Sequence, residues 1–171
     1  MIIWLIGMSG AGKSTVGRQL TDRLRTRSNS VIYLDGDELR DVWGDQLGHG
    51  IEGRRQNAHR ISKLCQLLDR NGVSVVAAVL SIFPDWQKWN RENLSSYFEV
   101  FLDVPLDVLE ERDPKGIYAC ARNGELNNVV GIDVPFPLPP NPDLTIKNDR
   151  ELKDVSPVVE EILAALPEVV R

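Results

Sequence analysis

The stretch Gly7-Met8-Ser9-Gly10-Ala11-Gly12-Lys13-Ser14 constrains this chain most, because it satisfies the spacing G-x-x-x-x-G-K-[ST] in full. An unbroken apolar run, Ile2 to Ile6, precedes it, and Val16, Leu20 and Leu24 follow at helical spacing. A buried strand, a glycine-rich turn and a helix in that order make a P-loop. Glycines 7, 10 and 12 let the backbone turn with its N–H groups inward, so that a polyphosphate can sit in the ring at a helix N-terminus. Lys13 brings a mobile positive charge to the outer phosphates, and the Ser14 hydroxyl is placed to ligate Mg²⁺. Gly7, Ser9, Gly10, Ala11, Gly12, Lys13, Ser14 and Thr15 are therefore the expected nucleotide-binding residues, joined by Arg112 further along the chain.

At 171 residues the sequence suits a single P-loop domain over 1–171 with a real core. A net charge of −5 argues against a nucleic-acid partner, so substrate phosphates have to be met by local clusters of basic residues. The apolar run before the P-loop is five residues long, too short for a signal peptide or a membrane span. There are two cysteines, Cys65 and Cys120, without C-x-x-C spacing. Cys65 falls on the apolar face of a helix and reads as core. A cytoplasmic protein with no membrane partner is the expectation.

Strand and helix alternate along the rest of the chain. Val31 to Leu34 reads as a second strand, followed by a turn or two of helix from Glu38 to Trp43 and a glycine-rich loop from Gly44 to Gly53. A longer helix is expected from about Arg54 to Asn71-Gly72, with Ala58, Ile61, Leu64, Cys65 and Leu68 on one face. Val73 to Leu80 reads as a central strand buried on both sides. Trp86, Trp89 and Leu94 belong to the next helix, the two tryptophans as core or interface residues. Phe98 to Asp103 reads as a fourth strand and Pro105 to Arg112 as a helix. From 113 to 142 the pattern breaks into a loop rich in glycine and proline, of the length expected of a lid. Leu144 to Ile146 reads as a fifth strand, and Val155 to Leu166 as a closing amphipathic helix. The expected fold is α/β: a parallel sheet of about five strands, P-loop kinase-like, with helices on both faces, a lid loop, and the site at the strand C-terminal ends.

Asp35 and Asp37 end the second strand on the edge that carries the P-loop. One carboxylate there can stand near Mg²⁺ while the other accepts a proton from a substrate hydroxyl. The same Asp-Gly-Asp reads structurally as a turn with Asp37 as a helix N-cap. Arg40, Arg54, Arg55, His59 and Arg60 cluster just beyond, with Arg54 and Asn57 on one helix face near its start. Arg55 and Arg60 also fit a solvated basic face. Asp103 reads either as a more distant carboxylate supporting the metal or as a cap before Pro105. Lys115 and Arg122 put cations on the lid, where closure would exclude water and bring charge to the transferred group.

Taken in order, GMSGAGKST, LDGDELR, RRQNAHR, Ser81 after the third strand, FEVFLDVPLDVLEERDPKGIYACARNGEL and the GID at 131–133 resemble the adenylylsulfate (APS) kinases over nearly the whole chain. The resemblance implies transfer of the γ-phosphoryl group of ATP, with Mg²⁺, to the 3′-hydroxyl of a nucleotide acceptor. By position it implies Asp37 as base, Asp35 with Ser14 at the metal, and Lys13 and Lys115 at the phosphates. It likewise implies Arg40, Arg54, Asn57, Leu80 and Ser81 as acceptor-binding residues. It also implies a homodimer.

The departures concentrate on the acceptor side. The family pattern reads L-G-F-S before the basic helix and G-F-T-G-I-D in the lid, two phenylalanines that sandwich the acceptor adenine. Here those positions are His49 and Val129. S-P-[YF]-R has become Ser81-Ile82-Phe83-Pro84, and the asparagine of D-G-D-N is Glu38. Stacking is worth roughly 1–3 kcal/mol per ring, so losing both rings points to an acceptor other than APS. WNRENL and NVVGID look similar to a capsule-biosynthesis branch of the family that phosphorylates cytidine diphosphoramidate, whose smaller pyrimidine suits such a pocket. Two other readings are a nucleotide-binding regulatory domain without turnover and a general nucleoside monophosphate kinase. The retained Lys13, Ser14, Asp35, Asp37, Arg40 and Lys115 favour an enzyme, and the DPKG and GID segments speak against the monophosphate kinase.

Overall fold

The computed structural model describes residues 1–44, 47–149 and 154–167. The order of elements is β1 (Ile2–Ile6), α1 (Lys13–Arg25), β2 (Val31–Asp35), α2 (Gly36–Trp43), α3 (Ile51–Arg70), β3 (Ser74–Val79), α4 (Pro84–Asn93), β4 (Tyr97–Asp103), α5 (Leu106–Arg112), α6 (Ile117–Arg122), β5 (Leu144–Lys147) and α7 (Ser156–Ala165). The five strands form one sheet in the order β2-β3-β1-β4-β5. Every pairing is parallel, with Ile2 opposite Val75 on one side and Tyr97 on the other.

The period-2 pleat divides β1 between two cores. Ile3 and Leu5 face one way, into a cluster with Val16 and Leu20 of α1 and Val159 and Ile162 of α7. Ile2, Trp4 and Ile6 face the other, against Ile61 and Cys65 of α3 and Leu39 of α2. A strand covered on both faces has to be apolar throughout, which is why the periodicity of β1, β3 and β4 reads so clearly. Cys65 is fully buried in the second core, and burial pushes its thiol up to about 12.

Leu94 follows α4 as its C-cap residue and is not part of the helix, and three larger departures from the sequence expectation accompany it. First, α3 begins at Ile51, not near Arg54, with Gly50 as its N-cap residue. Gly53 lies within its first turn because a Cβ there would stand 1.5 Å from the Leu47 carbonyl oxygen. Second, the segment 113–142 is not a bare loop: it contains α6 and a tight turn in which the Asp133 carboxylate accepts from the backbone N–H groups of Asn128 and Val129, both at 2.5 Å. Third, Asp35, not Asp37, caps α2, accepting from the Asp37 N–H at 2.9 Å. Among the described residues no helix is long and apolar enough to cross a membrane.

Candidate active site

With all strands parallel, β1 and β2 deliver the P-loop and the Asp35-Gly36-Asp37 turn to the same edge of the sheet. There they border one open cavity of about 740 Å³. Gly10 and Gly12 adopt φ of 79° and 89°, values at which an L side chain would be strained. Gly7 lies beneath the loop, where a Cβ would approach the Leu102 carbonyl oxygen at 3.1 Å. Gly7 and Ala11 thus shape the loop from behind, while Ser9, Gly10, Gly12, Lys13, Ser14 and Thr15 line the cavity.

Lys13 Nζ donates to the Met8 carbonyl at 2.8 Å, folding its side chain back across the loop. Burial pulls its ammonium down to about 8, although Asp37 and Asp35 act in the opposite sense. A polyphosphate would supply the missing countercharge. Ser14 Oγ donates to Asp35 Oδ2 at 2.7 Å, and the Tyr33 hydroxyl donates to the same oxygen at 2.8 Å. Burial alone would raise the Asp35 carboxyl, but these two bonds and the Asp37 N–H outweigh it and hold it below its ordinary value. A hydroxyl and an ionised carboxylate at this spacing, beside a phosphate-binding loop, are hard oxygen donors of the kind Mg²⁺ takes. That ion commonly adds one or two carboxylates to phosphate oxygens and water.

Asp37 is free of the capping duty that Asp35 performs, and it is exposed. Its Oδ2 pairs with Lys115 Nζ at 2.5 Å across the cavity, and that bond raises the Lys115 ammonium above its ordinary value. The lid lysine thus reaches the candidate base directly. Arg40 Nη1 donates to the Gly48 carbonyl at 2.7 Å. Arg54 ties two segments together, with Nε to the His49 carbonyl at 2.8 Å and Nη2 to the Asn128 carbonyl at 2.7 Å. Both guanidiniums are pulled below their ordinary value by burial, and Arg54 further by Arg40. Two half-buried like charges side by side make a place where an anion is favoured.

Next to them a smaller hollow of about 60 Å³ is lined by Arg40, Arg54, Asn57, Leu80 and Ser81, among others. Asn57 Nδ2 donates to the Gly36 carbonyl at 3.2 Å, and its Oδ1 is buried without a protein partner. Ser81 sits at φ 54°, an unusual conformation for serine, with its Oγ accepting from Trp4 Nε1 at 3.1 Å and Gln87 Nε2 at 3.2 Å. Leu80 borders both spaces. Both clamp positions line the cavity: His49 stands exposed on its wall, and Val129, 4% exposed, borders it while packing into the core.

Some sequence candidates fall outside the site. Asp103 does not border the cavity, and it does not cap α5, whose N-cap residue is Pro105. Arg122 pairs with Glu110 at 2.6 Å, and Arg55 with Asp85 at 2.5 Å. His59 stacks on Trp86 at 4.8 Å, and Trp86 meets Trp89 edge-on, all on the outer side of α3 and α4. Two contributors were missed by the sequence reading. Asn148, after β5, donates from Nδ2 to the Ala11 carbonyl at 2.9 Å, while its own carbonyl accepts from Arg112 Nη2 at 2.8 Å. Arg112 in turn lines the cavity. Tyr33 is the other, and an apolar strand pattern gives no sign of its role.

A family model described as adenylylsulphate kinase matches residues 1–147. The adenylyl-sulfate kinase of Gloeothece citriformis is 40% identical over 167 residues, covering 98% of this chain and 94% of that protein. The cytidine diphosphoramidate kinase of Campylobacter jejuni is 38% identical over 147 residues, covering 86% and 85%. Among solved structures, the APS kinase of Mycobacterium tuberculosis in complex with AMPPNP and APS superposes with a TM-score of 0.84 at 35% identity, covering 96% of this chain and 95% of that one.

Proposed function

The chain belongs to the adenylylsulfate kinase family, and on that premise we propose that it transfers the γ-phosphoryl group of ATP to the 3′-hydroxyl of a nucleotide acceptor, with cytidine diphosphoramidate favoured over APS. The observation that carries the reaction type is the convergence of Lys13, the Ser14–Asp35 pair and the Asp37–Lys115 pair on one cavity.

In this reading the P-loop amides and Lys13 hold the β- and γ-phosphates. Asp37, already within reach of the lid cation, takes the proton of the acceptor hydroxyl as its oxygen attacks the γ-phosphorus and the bridging bond to the β-phosphate breaks, releasing ADP. Lys115 leaves Asp37 for the transferred group, so one cation neutralises the base in the resting site and the phosphoryl oxygens during transfer. Arg40 and Arg54 hold the acceptor's phosphates beside the smaller hollow. When bound, Mg²⁺ would be held by Ser14 and Asp35 and would neutralise charge on the phosphate oxygens.

The preference for a pyrimidine rests on the two clamp positions. Val129 borders the cavity as an aliphatic side chain packed largely into the core, and His49 supplies a single ring there, so these two positions offer a purine no pair of rings to enter. A homodimer, as the resemblance implies, is part of the same proposal. The test is ADP release with ATP and Mg²⁺ across a panel of acceptors, alongside the Asp37→Asn variant. Cytidine diphosphoramidate is expected to give the faster turnover, and Asp37→Asn to lower it by roughly 10²–10⁴-fold, the range of general-base catalysis. Equal or better turnover of APS would overturn the pyrimidine preference. Nucleotide binding without acceptor-dependent turnover would overturn the kinase reading itself.

A further inference from the structure

Three donors converge on Asp35, and two of them, the Ser14 hydroxyl and the Asp37 N–H, come from the P-loop and from the turn after β2. The third is the Tyr33 hydroxyl, 2.8 Å from Oδ2, the oxygen that also accepts from Ser14. Tyr33 lies two residues before Asp35 on β2, so the pleat turns both side chains to the same face. Its ring fills a space that α1 leaves open for it: a Cβ at Gly17 would stand 2.6 Å from Tyr33 Cε2. Outside the ring, the Arg18 guanidinium lies 4.9 Å from its centroid and forms an ion pair with Glu38 of α2. A line of contacts therefore runs from α2 through α1 to β2 and ends on a carboxylate at the phosphate-binding edge.

The geometry points to Tyr33 as a positioning residue: we propose that its hydroxyl fixes the orientation of the Asp35 carboxylate toward the Mg²⁺ of a bound nucleotide, with Gly17 admitting the ring and Arg18 closing over it. This rests on the reading that Asp35 and Ser14 support that ion. The physical reason lies in how the two oxygens are used. Oδ1 is committed to the Asp37 N–H at 2.9 Å, so the direction of Oδ2 is all that remains to be set. Mg²⁺ demands near-ideal octahedral geometry, and a carboxylate free to swing would place its oxygen, or a water it holds, poorly. Ser14 donates to that oxygen from the P-loop and Tyr33 from β2, so two donors on different elements fix its direction where one would leave it free to pivot. Tyr33 makes no demand on the metal and keeps its bond throughout. Partners of this kind, one step removed from the ion, commonly affect metal affinity by 10–100-fold.

Tyr33→Phe removes the hydroxyl while keeping the ring, the Gly17 contact and the Arg18 stack. Mn²⁺ binding to the protein carrying a non-hydrolysable ATP analogue, followed by electron paramagnetic resonance, is expected to weaken about tenfold, with analogue binding in the absence of metal unchanged. Wild-type Mn²⁺ affinity in Tyr33→Phe would overturn the proposal. So would an equal loss of metal-free analogue binding, which would make Tyr33 part of the scaffold of the P-loop and not a partner of the carboxylate. Asp35→Asn measured in parallel separates this proposal from its premise. Wild-type Mn²⁺ affinity there would remove Asp35 from the metal site, whereas a defect in Asp35→Asn alone would remove only Tyr33.

Discussion

At Lys13 the packing that shapes the P-loop works against the charge the loop needs. Burial brings its ammonium from an ordinary 10.5 down to about 8. Between about pH 8 and 10.5 the unfolded chain therefore holds a proton that the native chain lacks, so this group's contribution to stability rises with pH through that window. Below about 8 Lys13 is charged in both states and its full cost is present. Nucleotide binding has the opposite sign, because a polyphosphate stabilises the charged form. ATP binding near pH 8.5 is expected to take up a fraction of a proton, falling toward none at pH 6.5, where Lys13 is already charged. Calorimetry in buffers of different ionisation enthalpy reads that number, and equal uptake at both pH values would refute the assignment to Lys13. At Asp35 and Asp37 the sequence supplied the pair but not the division of labour. Cap and base were both read onto Asp37, with Asp35 at the metal, and it is the α2 cap geometry that moves the cap to Asp35 and releases Asp37.

Among the elements, α3 shows how a local signal can mislead. Gly44, Gly48, Gly50 and Gly53 read as one loop, yet Gly53 is helical, because its missing side chain admits the Leu47 carbonyl. Gly53→Ala would gain about 1 kcal/mol in helix propensity. It would nonetheless force the 47–50 segment away from the helix, and overpacking of this kind costs about 1–3 kcal/mol. A lower midpoint of thermal unfolding is expected, and a raised one would show that Leu47 can move aside freely. That segment also carries the Gly48 and His49 carbonyls that hold Arg40 and Arg54, so the variant should weaken acceptor binding more than ATP binding. The short helix α6 escaped the sequence reading for a different reason. Six residues, Ile117–Arg122, hold too few turns for a hydrophobic stripe to show, and its place is fixed by long-range contacts such as the Tyr118 hydroxyl on the Ser9 carbonyl at 2.9 Å.

Across the whole molecule, what was legible in the sequence is what local patterning encodes. Strands covered on both sides announce themselves as apolar runs, and the P-loop announces itself by spacing. What was not legible depends on residues brought together across the sheet. Asn148 meets Ala11 from 137 positions away, and Tyr33 acts through Asp35 by facing α1. The proposed homodimer also belongs to this scale. Sedimentation equilibrium at micromolar concentration is expected to give twice the 19.2 kDa of the chain, and a monomer mass would refute it.

The position of β1 in the sheet bears on how the protein is made. Ile2–Ile6 precedes both of its neighbours in sequence, lying between β3 and β4, and the nearer of the two begins at Ser74. At synthesis rates of roughly 5–20 residues per second, that partner follows after roughly 4–15 s. For that interval five apolar residues and the unpaired edges of a central strand have nowhere native to go. The strand that carries the P-loop thus completes its pairing only after β3 and β4 have both been made.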